Sequence, residues 1–418
     1  MADTTMTTAD GIPLKVSLRK ALMRQKMRAL LLVAPLFFFL VITFVMPILD
    51  MLFRSVDNSI VPDILPRTVL ALEDWDPDVA KVPPEAAFEA MVKDIQVGYE
   101  EKTIGRVGRR LNYENPGMSS LFRKSGRRAK NIDAAPYKDA LIAIDDRWGD
   151  SETWRVIKKL SPKYTASYFL QAMDMQETVD GEITWQPEEY QVYLNLFWRT
   201  LIMSGIITIA TIVLGYPVAY LLATLPLRTS NLLMILVLLP FWTSLLVRTT
   251  SWIALLQTQG VLNDLFVFLG IVDDENRLQM IHNQFGTIVA MTHILLPFMI
   301  LPLYSVMKTI PPSYMRAARS MGANPALAFV RVYMPNTVSG VGAGSILVFI
   351  LAIGYYITPA LVGGRTGTFI SNYIATYISG ASQNWGLAAA LGIILLALVL
   401  VLYLLYDKIV GIDNMKLG

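Results

Sequence analysis

The 418-residue chain is 54% hydrophobic and 17% charged, with a mean hydropathy of +0.46 and a net charge of +3. A soluble globular protein carries about 25% charged residues, so this chain is expected to be predominantly membrane-embedded. It has no cysteine, which excludes disulfides and thiolate metal sites.

Residues 1–28 are polar and basic, with Lys15, Arg19, Lys20, Arg24, Lys26 and Arg28 against Asp3 and Asp10. Ala29–Leu49 is then free of charge. At 1.5 Å per residue that run is about 31 Å long, the thickness of a bilayer's hydrocarbon core. It is too long for a signal-peptide core and no small-residue cleavage site follows, so it predicts a retained first span over 29–53.

Residues 54–190 form a soluble block of domain size. It holds 24 acidic and 19 basic residues, a net charge of −5. "PPEAAFEAMVKDI" places Phe88, Met91, Val92 and Ile95 on one helical face. "DSETWRVIKKL" offers Asp150 or Ser151 as a cap and Trp154, Ile157 and Leu160 as an apolar side. Between them, the basic run "RKSGRRAK" (123–130) reads as a solvated, mobile linker rather than a nucleic-acid or anionic-lipid patch.

Apolar windows then recur at Thr200–Leu227, Thr229–Val247, Leu278–Met307, Val332–Gly364 and Trp385–Tyr406, giving spans two to six. Thr249–Arg277 is mixed and acidic, and reads as an outside loop with a short interfacial helix. Short-loop Lys and Arg set the orientation. The N-terminus, Arg228, Lys308, Arg316, Arg319, Arg331, Lys408 and Lys416 fall on one side, so both termini are expected to be cytoplasmic. The expectation is an all-α polytopic membrane protein. Six transmembrane helices carry a large extracytoplasmic insertion, mostly helical or mixed, between spans one and two.

Between spans four and five lies "RAARSMGANPALAFVRVYMP", Arg316–Pro335. Pro311-Pro312 ends the preceding helix. Ser313 is expected to cap a short helix through Met321, and Gly322 to end it in the left-handed region. Asn324-Pro325 restarts the chain as cap and first helical residue, and Pro335 interrupts the second helix. The exposed side is expected to carry Ala317, Ala318 and Ala323. A loop that only joined two spans needs two to eight residues.

The spacing of Ala317, Ala318, Gly322, Ala323, Phe329, Val332 and Pro335 resembles the coupling loop of bacterial ABC importer permeases. "TLIMSGIITIATIVLGYPVAYLLA" (200–223), "LLPFWTSLLVRTTSWIALL" (238–256), "GVLND" (260–264) and "AIGYYITPALVGG" (352–364) resemble the spermidine/putrescine branch of that family. The likeness covers roughly 200–410, and the 54–190 block is longer than the outside loop of most relatives. Arg316 departs from the pattern, because the family's first loop residue is usually Glu.

The resemblance implies a permease core over 191–410, with the coupling loop at 311–335 and a cytoplasmic tail at 411–418. It implies a cytoplasmic ABC ATPase dimer, a second permease subunit in a heterodimer, a periplasmic solute-binding protein and location in the bacterial inner membrane. ATP and Mg belong to the ATPase, for this chain has no G-x-x-x-x-G-K-[ST] loop. No catalytic residue, metal site or nucleic-acid contact is expected. The implied solute is a polyamine; opines, aminophosphonates and iron are the branch's alternatives.

The spans are nearly free of acids, with Asp50 the nearest. Tyr216, Tyr220, Trp242, Arg248, Trp252, Tyr355 and Tyr356 are the candidate pathway residues. Arg248 would attract an anion or pair with Asp50 or a loop carboxylate. A membrane sensor would need a cytoplasmic signalling extension and a membrane enzyme a clustered reactive set. The sequence offers neither; His293 is the one lone candidate.

Overall fold

The computed structural model describes residues 14–178, 181–380 and 383–410. The Lys416 tail and most of the basic N-terminus lie outside the described side chains.

The chain divides into two units, Met1–Arg54 and Ser55–Gly418. The first unit is one apolar helical span, Leu22–Arg54. Within it, Val41–Val45 widens into a π turn, and Thr43 returns its hydroxyl to the Phe39 carbonyl at 2.7 Å. Pro47 follows two residues later. Proline has no N–H and its ring clashes with the carbonyl four residues back; one extra residue in the turn re-registers that carbonyl. Its leucines and phenylalanines are exposed along its length, as suits a helix in contact with lipid.

In the second unit, residues 60–160 form a helical cluster. The helix Glu85–Glu100 buries Phe88, Met91, Val92 and Ile95 as its periodicity predicts. Asp150 caps Ser151–Lys159 by accepting from the Glu152 N–H, and Trp154, Ile157 and Leu160 are buried. Trp154 lies edge-on to Phe88 at 4.7 Å and 5.5 Å from Trp148. Each buried indole N–H is satisfied, Trp148 on Ser125 Oγ (2.9 Å) and Trp154 on the Trp148 carbonyl (2.8 Å).

Residues 123–130 are not a linker. They end the helix Met118–Arg128, which turns Ser125, Gly126 and Ala129 inward and its arginines outward; Lys124 meets Asp145 at 3.0 Å. The small residues spaced through the basic run make this face possible, and the count of charges concealed it.

The two ends of this cluster are tied together. Asn58 N–H donates to the Lys163 carbonyl and Thr165 N–H to the Val56 carbonyl, both at 2.9 Å. Buried Arg110 joins them from inside. It donates to Asn58 Oδ1 (2.9 Å) and Ser167 Oγ (3.0 Å) and lies 4.5 Å over the Tyr168 ring. Tyr168 in turn lies against Gly386 at the start of the last span, where a Cβ would sit 2.3 Å from the ring. Tyr168 and Ala172 continue into a buried cluster with Leu387, Ala390 and Leu391.

A short antiparallel hairpin, Met175–Glu177 with Ile183–Trp185, precedes the second span. That span's helix, Tyr193–Thr224, starts without a cap of its own. Asp174 supplies one from eighteen residues upstream. Its carboxylate accepts from the N–H groups of Val192, Tyr193 and Leu194 at 3.0, 2.9 and 2.8 Å. An anion at a helix N-terminus satisfies orphan donors and the helix dipole together. Replacing Asp174 with Ala should cost about 2 kcal/mol and lower the thermal midpoint of the detergent-solubilised protein, while Asp174→Asn should lose less.

Tyr193–Thr224, Gln284–Thr309 and Val338–Gly354 form the central bundle. Ile207, Met291, Leu295, Met299, Leu303 and Val348 fill it, and Gly340 and Gly344 bring the last helix close to Leu303 and Met299. Trp385–Lys408 is the final long apolar helix.

Two spans depart from the windows read in the sequence. The third is Leu227–Trp242, after which the chain bends by 96° into Leu245–Phe268. Most of the supposed outside loop is therefore helical, as Leu245–Leu256 and Val261–Phe268. The fifth pairs Pro325–Asn336 with Val338–Gly354 at 60°. Its helix ends at Gly354, and the rest of the apolar window turns back through the short helices Ile357–Val362 and Gly364–Gly367. Uncharged length alone does not show where a helix bends.

Candidate functional site

The segment between the fourth and fifth spans is an elbow of two short helices. Pro312–Ser320 is the first, with Pro311 as N-cap and Pro312 as its first residue. Ser313 thus lies inside the helix and does not cap it, because proline already occupies the position where a missing N–H costs nothing. Gly322 has φ of +92°, the left-handed region. Its N–H donates to the Arg319 carbonyl and that of Ala323 to the Ala318 carbonyl, both at 3.1 Å, closing the helix end. Asn324 Oδ1 then accepts from the Leu327 N–H at 2.7 Å, with Pro325 first in the next helix.

That helix breaks after Asn336, one residue past Pro335, with a 60° bend into Val338–Gly354. Phe329–Tyr333 widens into a π turn two residues before Pro335, as in the first span, and Asn336 Nδ2 donates to the Val332 carbonyl at 2.6 Å. Ala317 is exposed and Ala323 half-buried, but Ala318 is buried with 4% exposure and belongs to the elbow's own packing. Arg316, Arg319 and Arg331 stand exposed, and none has an ion pair among the described residues. The outer surface of the elbow is therefore basic, and it also exposes Tyr314, Met321, Leu327 and Val330.

Tyr216 and Tyr220, on the second span, pack against this elbow. Both meet Phe329 edge-on, at 6.1 and 5.3 Å, and Tyr220 meets Tyr333 at 5.2 Å. Phe329 and Tyr333 stack at 5.5 Å. Tyr216 shares a 3.0 Å hydrogen bond with Thr337. Four aromatic rings thus bind the second elbow helix to the second span.

The remaining candidates fall around the bend after the third span. Trp242 ends that span and is 77% exposed. Ser244 caps Leu245–Leu256 through the Val247 N–H. Trp252 on this helix donates its indole N–H to His293 Nδ1 at 3.1 Å. Thr249 shares a 3.1 Å hydrogen bond with Thr358. Tyr355 and Tyr356 break the chain after the fifth span, and their carbonyls accept from Ser371 (2.6 Å) and Asn372 (2.7 Å). The helix that carries Arg248 thus brings Trp252 to His293 and Thr249 to Thr358.

Three of the carboxylates expected as partners for Arg248 are engaged elsewhere. Asp50 bonds Arg54 at 2.9 Å, and Asp264 and Asp274 each meet Arg277 at 2.7 Å. No group of His, Cys, Asp and Glu able to hold a metal occurs among the described residues.

Residues 212–410 match the family of binding-protein-dependent transport system inner membrane components. The chain is 35% identical to the spermidine/putrescine transport system permease protein PotB of Haemophilus influenzae, over 53% of this chain and 77% of that protein. To PotB of Escherichia coli K12 it is 34% identical, over 54% and 81%. A solved bacterial ABC transporter that imports the acidic polysaccharide alginate is similar at 20% identity and a TM-score of 0.44, over 55% of this chain and 82% of that one.

Proposed function

Because the chain belongs to the binding-protein-dependent inner membrane components of ABC importers, with ATP hydrolysis done by a separate subunit, we propose that it carries a polyamine released by a periplasmic binding protein. The relatives' polyamine names support the solute. So do the aromatic faces of Trp242, Trp252, Tyr355 and Tyr356, which suit an organic cation where acids are lacking. Both termini and the elbow lie in the cytoplasm, residues 54–190 lie outside, and the pore forms with a second, different permease subunit. Releasing the small molecule from the cognate binding protein tests the solute. Spermidine or putrescine is expected; an opine, an aminophosphonate or iron would overturn it.

The elbow carries the mechanism. Its backbone is capped at both helices and locked to the second span by aromatic rings, so it moves as one body. ATP closes the ATPase dimer, the dimer draws the elbow with it, and the spans rock between two states. Loaded binding protein and ATP favour the same state. Arg316 in place of the usual acid calls for an acidic residue on the ATPase facing it.

Residues 59–162 help dock the binding protein. Asn58 and Lys163 are hydrogen-bonded neighbours, so a short turn can replace this stretch, with Arg110→Ala as the control for the lost bonds to Asn58 and Ser167. Binding-protein affinity should fall at least tenfold at normal membrane yield. Loss of yield with unchanged affinity would assign the cluster a folding role.

A further inference from the structure

We propose that Arg248 receives a carboxylate of the second permease subunit. The inference rests on the two-subunit pore proposed above and names the contact that holds it together.

Arg248 lies on the helix that follows the bend, and its Nε is buried without a hydrogen-bond partner. No ion pair to it forms among the described residues, Asp264 and Asp274 serve Arg277, and Asp50 of the first span serves Arg54. Two polar groups on its own helix are already used: Trp252 donates to His293 Nδ1, and Thr249 bonds Leu245 and Thr358. A guanidinium is always charged and presents a fork matched to a carboxylate. Charged side chains at membrane depth pair or line a polar cavity.

A resident anion compensates this charge in every state of the transporter. A solute passes and leaves, and the empty transporter would hold the same uncompensated charge. A side chain on a fixed neighbour does not leave. The same helix presents the surface such a neighbour needs. Thr250 and Ser251 are exposed, and their hydroxyls bond back to the carbonyls of Leu246 and Val247. They leave a small, satisfied surface that another helix can approach. Leu246 and Val247 beside them are exposed as well.

The test uses the full complex with its ATPase and second permease subunit. Arg248→Glu should reduce recovery of the heterodimer in mild detergent at least tenfold at normal membrane yield of this chain. Arg248→Lys should retain most of it. Reversing one intramembrane acid of the second subunit to lysine should restore recovery with Arg248→Glu. The chain has no cysteine, so Arg248→Cys should form a disulfide with a cysteine at that same acid and at no other. If the heterodimer survives Arg248→Glu and the KM for putrescine uptake rises instead, Arg248 serves the solute and the inference fails. It fails too if no reversal restores recovery and no cysteine pair links. Recovery of a homodimer without a second permease would refute the two-subunit reading itself.

Discussion

Gly322→Asp is expected to leave membrane insertion intact and to abolish uptake. At φ of +92° an L-residue pays roughly 1–2 kcal/mol, and the two hydrogen bonds that close the first elbow helix depend on that turn. Nothing lies within 4 Å of where a Cβ would be. The loss therefore comes from the backbone turn and from the exposed surface, and not from a clash in the core. A graded series separates the two. Asn tolerates the left-handed region, so Gly322→Asn should keep much of the activity, Gly322→Ala less and Gly322→Asp none. ATPase activity stimulated by loaded binding protein should follow the same order. Normal uptake with Gly322→Asp would remove the elbow from the mechanism.

Phe329→Ala has the second large effect. Its ring stacks on Tyr333 and meets Tyr216 and Tyr220 edge-on. Removing a packed Phe costs about 3 kcal/mol at the low end of the usual range, and each aromatic pair adds about 0.5–1.5 kcal/mol beyond its area. The elbow would still dock on the ATPase, but its motion would no longer reach the second span. ATP hydrolysis by the assembled complex should persist and lose its response to loaded binding protein, with transport reduced more than tenfold. Phe329→Leu should recover part of the response. If Phe329→Ala leaves stimulation unchanged, coupling passes by another route.

The elbow was legible because its signals are local. Gly322 and Asn324-Pro325 each act on neighbouring backbone, and the structure shows each in the state its residue type predicts. Ser313 misled because Pro312 already fills the first helical position. The π turns at 41–45 and 329–333 follow from Pro47 and Pro335, yet a proline alone does not say whether a helix stops or widens. Contacts between distant segments were out of reach. Asp174 caps a helix eighteen residues away, Arg110 joins Asn58 to Ser167, and Trp252 meets His293 across forty-one residues. No short pattern encodes such pairs. Residue type alone groups Tyr216 and Tyr220 with the pathway and does not reveal their contacts with Phe329 and Tyr333 of the elbow.

The most direct measurement is a photo-crosslinking residue at Ala317, on the exposed face of the elbow, in native membranes, followed by mass spectrometry of the linked product. The account expects an ATP-binding subunit joined to position 317, and no such product from a control at exposed Val79 in the 60–160 cluster. If position 317 yields no ATP-binding subunit while the same complex is actively transporting, the elbow is not the coupling element.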